Sequence, residues 1–166
     1  MDLKNKIVLV TGSSRGIGKA IALLFANKGA KVIVNYSKSE KEANEVLNEI
    51  KKTSDGIAIK CDVSKEEEVK KMISEIIKKF GRLDILINNA GIVFDIPLFE
   101  KTVEQWNKTL GVNLIGTFLC SKYAVPYIKK QKSGVIINIA STNGIDSLSP
   151  ESADYDASKA GVISLT

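Results

Sequence analysis

Tyr155 and Lys159 stand four residues apart near the carboxyl end of the chain, and Ser141 precedes them. Four residues make about one helical turn, so the phenol and the ammonium would share one face of a helix. A positive charge beside a phenol stabilises the phenolate, which lets the tyrosine act as an acid or a base near neutral pH. Because this spacing also describes an exposed helical pair, its significance depends on the accompanying motifs.

The first apolar run of the sequence leads directly into a glycine-rich stretch, in which Gly12, Gly16 and Gly18 are spaced as GxxxGxG. Glycines at a strand-to-helix turn allow backbone N–H groups and a helix amino terminus to approach a pyrophosphate closely. The spacing differs from the GxGxxG of the commoner dinucleotide fingerprint. The stretch predicts a nucleotide site, and a glycine-rich turn that holds no ligand is the alternative.

The composition is that of one globular domain spanning residues 1–166, with 44% apolar and 26% charged residues. The amino terminus lacks the apolar stretch of a signal peptide, and no run approaches the ~20 apolar residues of a membrane span. We therefore expect a cytoplasmic protein with no membrane contact. Cys61 and Cys120 have neither metal-site spacing nor a disulfide framework, so we expect both to be reduced and buried.

The sequence contains no histidine, which excludes Ser-His-Asp and Cys-His catalysis and every zinc site that needs imidazole. The chemistry must use tyrosine, lysine, serine, asparagine or carboxylates, and we expect no metal. The net charge of +5 is spread along helical segments beside glutamates rather than gathered in a block. Such a pattern is typical of solvated helix faces, so no nucleic-acid partner is expected.

The elements that must position these residues alternate between strands and helices. Short β-branched runs without polar alternation predict strands buried on both faces of a parallel sheet. They are residues 7–10, 32–34, 57–59, 85–87 and 135–139. Helical patterns lie between them, and capping boxes beginning at Ser39 and Ser64 are predicted to open two of the helices. This alternation predicts an α/β fold, a doubly wound parallel sheet of the Rossmann type.

The predicted strand order is 3-2-1-4-5, which puts the switch point between the first and fourth strands. Ligands bind at such a point, beyond the carboxyl ends of the strands. The glycine-rich stretch after Val10, the loop after Ile87 and Ser141 after the fifth strand all fall on this rim. Their convergence predicts that the rim carries the site.

Together these motifs resemble the short-chain dehydrogenase/reductase family over the entire chain. Thr11 and the glycines match the family's pattern, and residues 88–91 are similar to its NNAG motif. Asp62 matches the position where a family aspartate meets the adenine amino group. The resemblance implies a dinucleotide site formed by Gly12, Ser14, Arg15, Gly16, Ile17, Gly18, Asn35, Tyr36, Asp62, Val63, Asn89, Ala90, Gly91, Tyr155 and Lys159.

The same resemblance identifies Asn113, Ser141, Tyr155 and Lys159 with the family's catalytic tetrad. It implies that Tyr155 protonates a carbonyl oxygen, held by Ser141, while a nicotinamide hydride adds to the carbon. Lys159 would assist Tyr155 and bind the nicotinamide ribose, and Asn113 would hold a water that returns protons through Lys159. Taken singly, Asn113 could be a helix-kinking asparagine and Ser141 a strand-end cap.

The preferred cofactor is indicated by two positions. An NAD enzyme usually has a carboxylate near the end of the second strand that binds the ribose 2′-hydroxyl, whereas this strand ends in Asn35 and Tyr36. Arg15, one of two arginines in the chain, lies in the glycine-rich stretch, where a forked guanidinium suits a 2′-phosphate. NADPH is therefore favoured over NADH, with a solvent-facing loop charge as the alternative for Arg15.

Within the family the chain looks most like 3-oxoacyl-[acyl-carrier-protein] reductases, which implies reduction of a small ketone or an acyl thioester in fatty-acid synthesis. Lys129 and Lys130 match a region where those reductases meet the acidic carrier protein. The chain ends ahead of the family's sixth strand, so we expect a truncated sheet whose exposed fifth strand favours a homo-oligomer. Alternatives are a sugar or polyol dehydrogenase and a catalytically silent dinucleotide-binding fragment.

Overall fold

The computed structural model describes residues 3–147 and 149–166, and its centre is a five-stranded parallel sheet. The strands are β1 (Ile7–Val10), β2 (Lys31–Tyr36), β3 (Gly56–Lys60), β4 (Ile85–Asn88) and β5 (Val135–Asn138). They are ordered β3-β2-β1-β4-β5, and every neighbouring pair is parallel. The predicted fold class and strand order are confirmed.

Helices connect the strands and cover the sheet. They are α1 (Gly16–Asn27), α2 (Glu40–Ile50), α3 (Glu66–Phe80), α4 (Val103–Leu110), α5 (Gly116–Gln131) and α6 (Ala153–Leu165). Strand side chains point alternately to the two faces. Leu9 and Ile33 join a core that includes α3, while Val8 and Val32 join one that includes α1 and α2. None of the described helices is long and apolar enough to cross a membrane.

Strand β5 was predicted to be buried on both of its faces, but only one face is covered. Val135 and Ile137 are 45% and 42% exposed, whereas Ile136 packs against the core on the α3 side. Helices α1 and α2, which cover the opposite face, lie over β1, β2 and β3. Within the described residues β5 has β4 as its one strand neighbour, so it presents an apolar edge.

Neither predicted capping box forms among the described residues. Ser39 occupies the position before α2, but its side chain makes no cap hydrogen bond. Helix α3 begins two residues after Ser64, whose hydroxyl instead donates to Oδ1 of Asp62 at 2.7 Å. Because α3 starts only at Glu66, Lys65 rather than Ser64 holds the cap position, and the lysine side chain has no oxygen to accept from the first N–H groups. A capping box does form at the start of α4, between Thr102 and Gln105.

The chain passes from α4 to α5 through a π-helical turn, Gly111–Ile115. This irregular turn carries Asn113. Such turns interrupt the regular backbone hydrogen bonds and are frequent at functional sites.

The two cysteines are free and buried, as predicted. Burial, together with the nearby carboxylates of Glu68 and Asp62, raises the pKa of Cys61 to about 12. Burial also raises the pKa of Cys120. Both side chains therefore remain thiols at neutral pH, which agrees with a packing role.

Candidate active site

A cleft of about 600 Å³ opens at the carboxyl ends of the central strands, on the predicted rim. Its walls come from the loop after β1, the end of β2, and the loops after β3 and β4. Thirteen of the predicted dinucleotide residues line it, namely Gly12, Ser14, Arg15, Gly16, Ile17, Gly18, Asn35, Tyr36, Asp62, Val63, Asn89, Ala90 and Gly91. The remaining two, Tyr155 and Lys159, lie on α6.

The glycines of the loop after β1 shape this cleft in different ways. A Cβ atom at Gly18 would lie 2.5 Å from both the carbonyl oxygen of Gly12 and Nδ2 of Asn89. Gly16, in contrast, has a φ of +57° and open space around its Cβ position. Because α1 begins at Gly16, the positive end of its dipole and its first N–H groups lie at the cleft. This arrangement fits a pyrophosphate.

Thr11 and Asn89 join the loops after β1 and β4. Thr11 Oγ1 accepts hydrogen bonds from the N–H groups of Asn89 at 2.9 Å and Ala90 at 3.0 Å. Asn89 Nδ2 in turn donates to the carbonyl oxygens of Thr11 at 2.9 Å and Gly12 at 3.2 Å. These reciprocal hydrogen bonds make one wall of the cleft from two loops.

The Asn35 side chain is committed to the backbone around it. Asn35 is 1% exposed, and its Oδ1 accepts a hydrogen bond from the N–H of Gly12 at 3.0 Å. Its Nδ2 donates to the carbonyl oxygens of Ile59 at 3.3 Å and Cys61 at 3.1 Å. Asn35 therefore holds the ends of β1, β2 and β3 together, and the charge that meets a ligand phosphate must come from other residues.

Charged side chains surround the cleft. Arg15 is exposed at its mouth, and Lys38 and Lys108 also line it. Oδ1 of Asp62 is fixed by the N–H and hydroxyl of Ser64, at 3.0 Å and 2.7 Å. Lys38 and Lys108 were missed by the sequence reasoning. Lys38 follows the second strand and could have been found from that position, whereas Lys108 reaches the cleft only through the packing of α4.

Tyr155 and Lys159 occupy the first two turns of α6, one turn apart as predicted. Nζ of Lys159 lies 5.5 Å from the centroid of the Tyr155 ring and donates to the carbonyl oxygen of Ile139 at 2.6 Å. Lys159 is 4% exposed, and burial lowers the pKa of its ammonium. A cation removed from water acts on a neighbouring phenol more strongly than a solvated one.

Asn113 is buried in the π-helical turn and connects it to two other segments. Its Oδ1 accepts a hydrogen bond from the N–H of Ile92 at 2.8 Å, and its Nδ2 donates to the carbonyl oxygen of Ile92 at 2.9 Å. Nδ2 also donates to the hydroxyl of Ser158 on α6 at 3.0 Å. The position in an irregular helical turn agrees with the helix-kinking alternative, and the water-holding role stays a prediction.

Ser141 lies just beyond β5, at the start of a short 3-10 turn, Thr142–Gly144. Its Oγ accepts a hydrogen bond from the N–H of Asn143 at 3.2 Å, so Ser141 acts as a cap. A hydroxyl that accepts one hydrogen bond keeps its own hydrogen available for donation. Ser141 can therefore cap the turn and still donate to a substrate oxygen.

Known proteins are similar to this chain over nearly its entire length. The sequence profile described as short chain dehydrogenase matches residues 6–166. The 3-oxoacyl-[acyl-carrier-protein] reductase FabG of Staphylococcus aureus is 46% identical over 162 residues, which are 97% of this chain and 65% of that protein. A 3-oxoacyl-[acyl-carrier-protein] reductase of Synechocystis is 45% identical over 165 residues, or 99% of this chain and 66% of that protein.

The fold is also similar to a solved structure. A putative short-chain alcohol dehydrogenase from Sinorhizobium meliloti 1021 matches with a TM-score of 0.94 and 32% identity, covering 99% of this chain and 65% of that one. The chain thus spans about two thirds of the length of these relatives. With the profile match, these similarities show that the chain belongs to the short-chain dehydrogenase family.

Proposed function

We propose that this chain binds NADP(H) in the cleft and reduces a ketone to a secondary alcohol. The observation that carries the proposal is the position of Tyr155 and Lys159. Their side chains lie 5.5 Å apart, from Nζ to the ring centroid, on a helix that begins beyond the same rim of the sheet. Thirteen of the predicted dinucleotide residues line a cleft on that rim.

The proposed proton donor is Tyr155. When bound, NADPH supplies the hydride that adds to the carbonyl carbon. Tyr155 gives its phenol proton to the carbonyl oxygen, and the hydroxyl of Ser141 donates a hydrogen bond to the same oxygen. The buried ammonium of Lys159 stabilises the phenolate left on Tyr155 and binds the nicotinamide ribose. Asn113 is proposed to hold the water through which the phenolate regains a proton.

The preference for NADPH rests on the charges near the end of β2. That strand ends without a carboxylate that would repel a 2′-phosphate. Arg15 and Lys38 both line the cleft, and a guanidinium can donate two parallel hydrogen bonds to a phosphate. The side chain of Asn35 makes its hydrogen bonds to the backbone, so these cations are the proposed recognition groups.

The proposed substrate class is a 3-oxoacyl thioester carried by an acidic protein. Its support is the 46% identity to a relative named 3-oxoacyl-[acyl-carrier-protein] reductase. Lys129 and Lys130 are exposed in the last turn of α5. That turn leads into the amino end of β5, whereas the cleft lies beyond the carboxyl ends of the strands. Carrier docking at these lysines is therefore a separate proposal from ketone reduction.

The catalytic proposal is tested by a Tyr155→Phe variant, assayed for oxidation of NADPH with an acetoacetyl thioester. The change removes the transferable proton and keeps the ring, so kcat should fall ~100-fold or more while the Kd for NADPH stays nearly unchanged. Wild-type turnover in the variant would show that Tyr155 is not the acid. NADPH binding without turnover in the unmodified chain would favour a silent nucleotide-binding protein.

A further inference from the structure

Two buried carboxylates flank Tyr155 in the first turn of α6. Asp154 is 0% exposed and Asp156 is 6% exposed. Successive residues of a helix point about 100° apart, so the two carboxylates project to different sides with the tyrosine between them. Burial of a charged side chain costs free energy unless the charge is paired and hydrogen-bonded, so each carboxylate needs hydrogen-bond donors around it.

Asp154 is held by the segment that follows β4. Its Oδ1 accepts a hydrogen bond from Nζ of Lys101 at 2.6 Å, and its Oδ2 accepts one from the Thr109 hydroxyl at 2.6 Å. Lys101 is itself buried, and Nζ also donates to the carbonyl oxygens of Phe94 at 2.7 Å and Glu151 at 2.8 Å. These acceptors use all three hydrogens of the ammonium.

Asp156 is held by the segment that follows β5. Its carboxylate accepts hydrogen bonds from Nδ2 of Asn143 at 2.9 Å, from the Ser152 hydroxyl at 3.0 Å and from the Ser147 hydroxyl. Burial by itself would raise the pKa of both carboxyl groups. The hydrogen bonds outweigh burial and hold the pKa of Asp154 and the pKa of Asp156 below the ordinary value. Both groups are therefore charged at neutral pH.

The two carboxylates attach α6 to two different loops. Through Asp154, the helix is joined to residues 94–109, and through Asp156 it is joined to residues 143, 147 and 152. A buried ion pair is often no more stabilising than apolar residues of the same size. The hydrogen bonds of Asp154 and Asp156 are directional, so they constrain the position of the backbone between them, at Tyr155.

We propose that Asp154, with its partner Lys101, and Asp156 are positioning residues that hold Tyr155 and Lys159 toward the nicotinamide end of the bound dinucleotide. The inference rests on the proposed function, since it needs a nucleotide in the cleft. In the proposed function the adenosine end of that nucleotide would meet the loops after β1, β2 and β3, which Asp154 and Asp156 do not touch in the described contacts.

The test compares two ligands of different length. NADPH spans the whole site, whereas adenosine 2′,5′-bisphosphate has the phosphorylated adenosine half and no nicotinamide. The principal variant, Lys101→Met with Asp154→Asn, removes both buried charges and keeps an oxygen that can accept from Thr109. The matched control is Lys19→Met with Glu49→Gln, which removes an exposed ion pair of 3.2 Å between α1 and α2. Circular dichroism establishes that each variant is folded.

In the principal variant the NADPH affinity should fall about tenfold, which is what one hydrogen bond to a charged group contributes, with the bisphosphate affinity unchanged. The kcat for the ketone should fall as well, and the control should match the unmodified chain in every measurement. If the double variant does not fold, Thr109→Val replaces it, because it removes one hydrogen bond to Asp154 and keeps the side-chain volume.

Three results would overturn the inference. One is a folded variant with unchanged NADPH affinity and kcat, and another is an equal loss for both ligands, which indicates a purely structural role. The third is an unmodified chain that binds the two ligands equally well, because α6 would then not reach the nucleotide. An unmodified chain that binds neither ligand would instead refute the proposed function and the inference with it.

Discussion

Replacing Gly18 by alanine should destabilise the fold, because this glycine touches two neighbouring segments. The added Cβ atom would lie 2.5 Å from the carbonyl oxygen of Gly12, 2.5 Å from Nδ2 of Asn89 and 2.9 Å from Cα of Ser13. Two of these contacts are with backbone, which cannot move away easily. The Asn89 amide must shift, and its hydrogen bonds to the carbonyl oxygens of Thr11 and Gly12 are then lost.

The expected loss of stability combines three contributions. Overpacking of a filled site costs ~1–3 kcal/mol, and two lost hydrogen bonds cost ~1 kcal/mol each. The better helix propensity of alanine returns ~1 kcal/mol, since Gly18 lies in α1. The free energy of unfolding should therefore fall by ~2–4 kcal/mol, which for a chain of this size lowers Tm by ~5–15 °C.

Gly16→Ala is the matched control in the same loop. Its Cβ position has no neighbouring atom within 4 Å, so the cost is confined to the left-handed backbone at a φ of +57°. That strain costs ~1 kcal/mol, which lowers Tm by ~2–4 °C. Because Gly16 lines the cleft, the new methyl group should weaken NADPH binding more than it weakens the fold.

Thermal melts followed by circular dichroism, with NADPH titrations of each folded variant, separate these effects. The close contacts of Gly18 require a clearly larger fall in Tm for Gly18→Ala than for Gly16→Ala. Equal falls in Tm, or a Gly18→Ala variant as stable as the unmodified chain, would show that Gly18 is not confined by Gly12 and Asn89.

Three further outcomes are expected. Lys159→Ala should lower both kcat and NADPH affinity in turnover and binding assays, because one ammonium serves the phenol and the ribose; loss of only one of the two would contradict this shared role. Asp156 has a lowered pKa in the folded chain, so its stabilisation is present above the unfolded pKa of ~3.9 and is lost as pH falls through the folded value. Melts of Asp156→Asn should accordingly show a flatter loss of stability in acid. The apolar edge of β5 should make the 166-residue chain self-associate at micromolar concentration, and a monomer in light scattering would refute this.

The sheet could be predicted from the sequence because its strands are apolar without alternation. Such strands are stable only in a sheet that is covered by helices on both faces. The alternation of strands and helices along the chain then allows only a few sheet topologies. The same reasoning was wrong for β5, where Val135 and Ile137 are partly exposed. Apolar composition reports what a strand can bury, whereas burial at an edge depends on which neighbours are present.

The position of the cleft could be predicted because its glycines are local signals at a strand-to-helix turn. The capping box at Ser64 does not form because α3 begins at Glu66, which puts Lys65 in the cap position. Ser39 does hold the cap position of α2, but its ψ of 65° lies outside the extended backbone region typical of a capping residue. The ion pair between Lys101 and Asp154 has no sequence signal. Its partners are 53 residues apart, and only the folded chain brings them together.

Nucleotide recognition by this chain is tested most directly by the ratio of NADPH affinity to NADH affinity in the unmodified chain and in Arg15→Ala. A guanidinium bound to a 2′-phosphate should give the unmodified chain a preference for NADPH, and its removal should lower that ratio about tenfold. Lys19→Ala is the control, because Lys19 lies in the first turn of α1, just after Arg15, and pairs with Glu49 rather than lining the cleft. We predict a reduced ratio for Arg15→Ala and an unchanged ratio for Lys19→Ala. An unmodified chain that binds neither nucleotide, or an Arg15→Ala variant with the original ratio, would contradict this prediction.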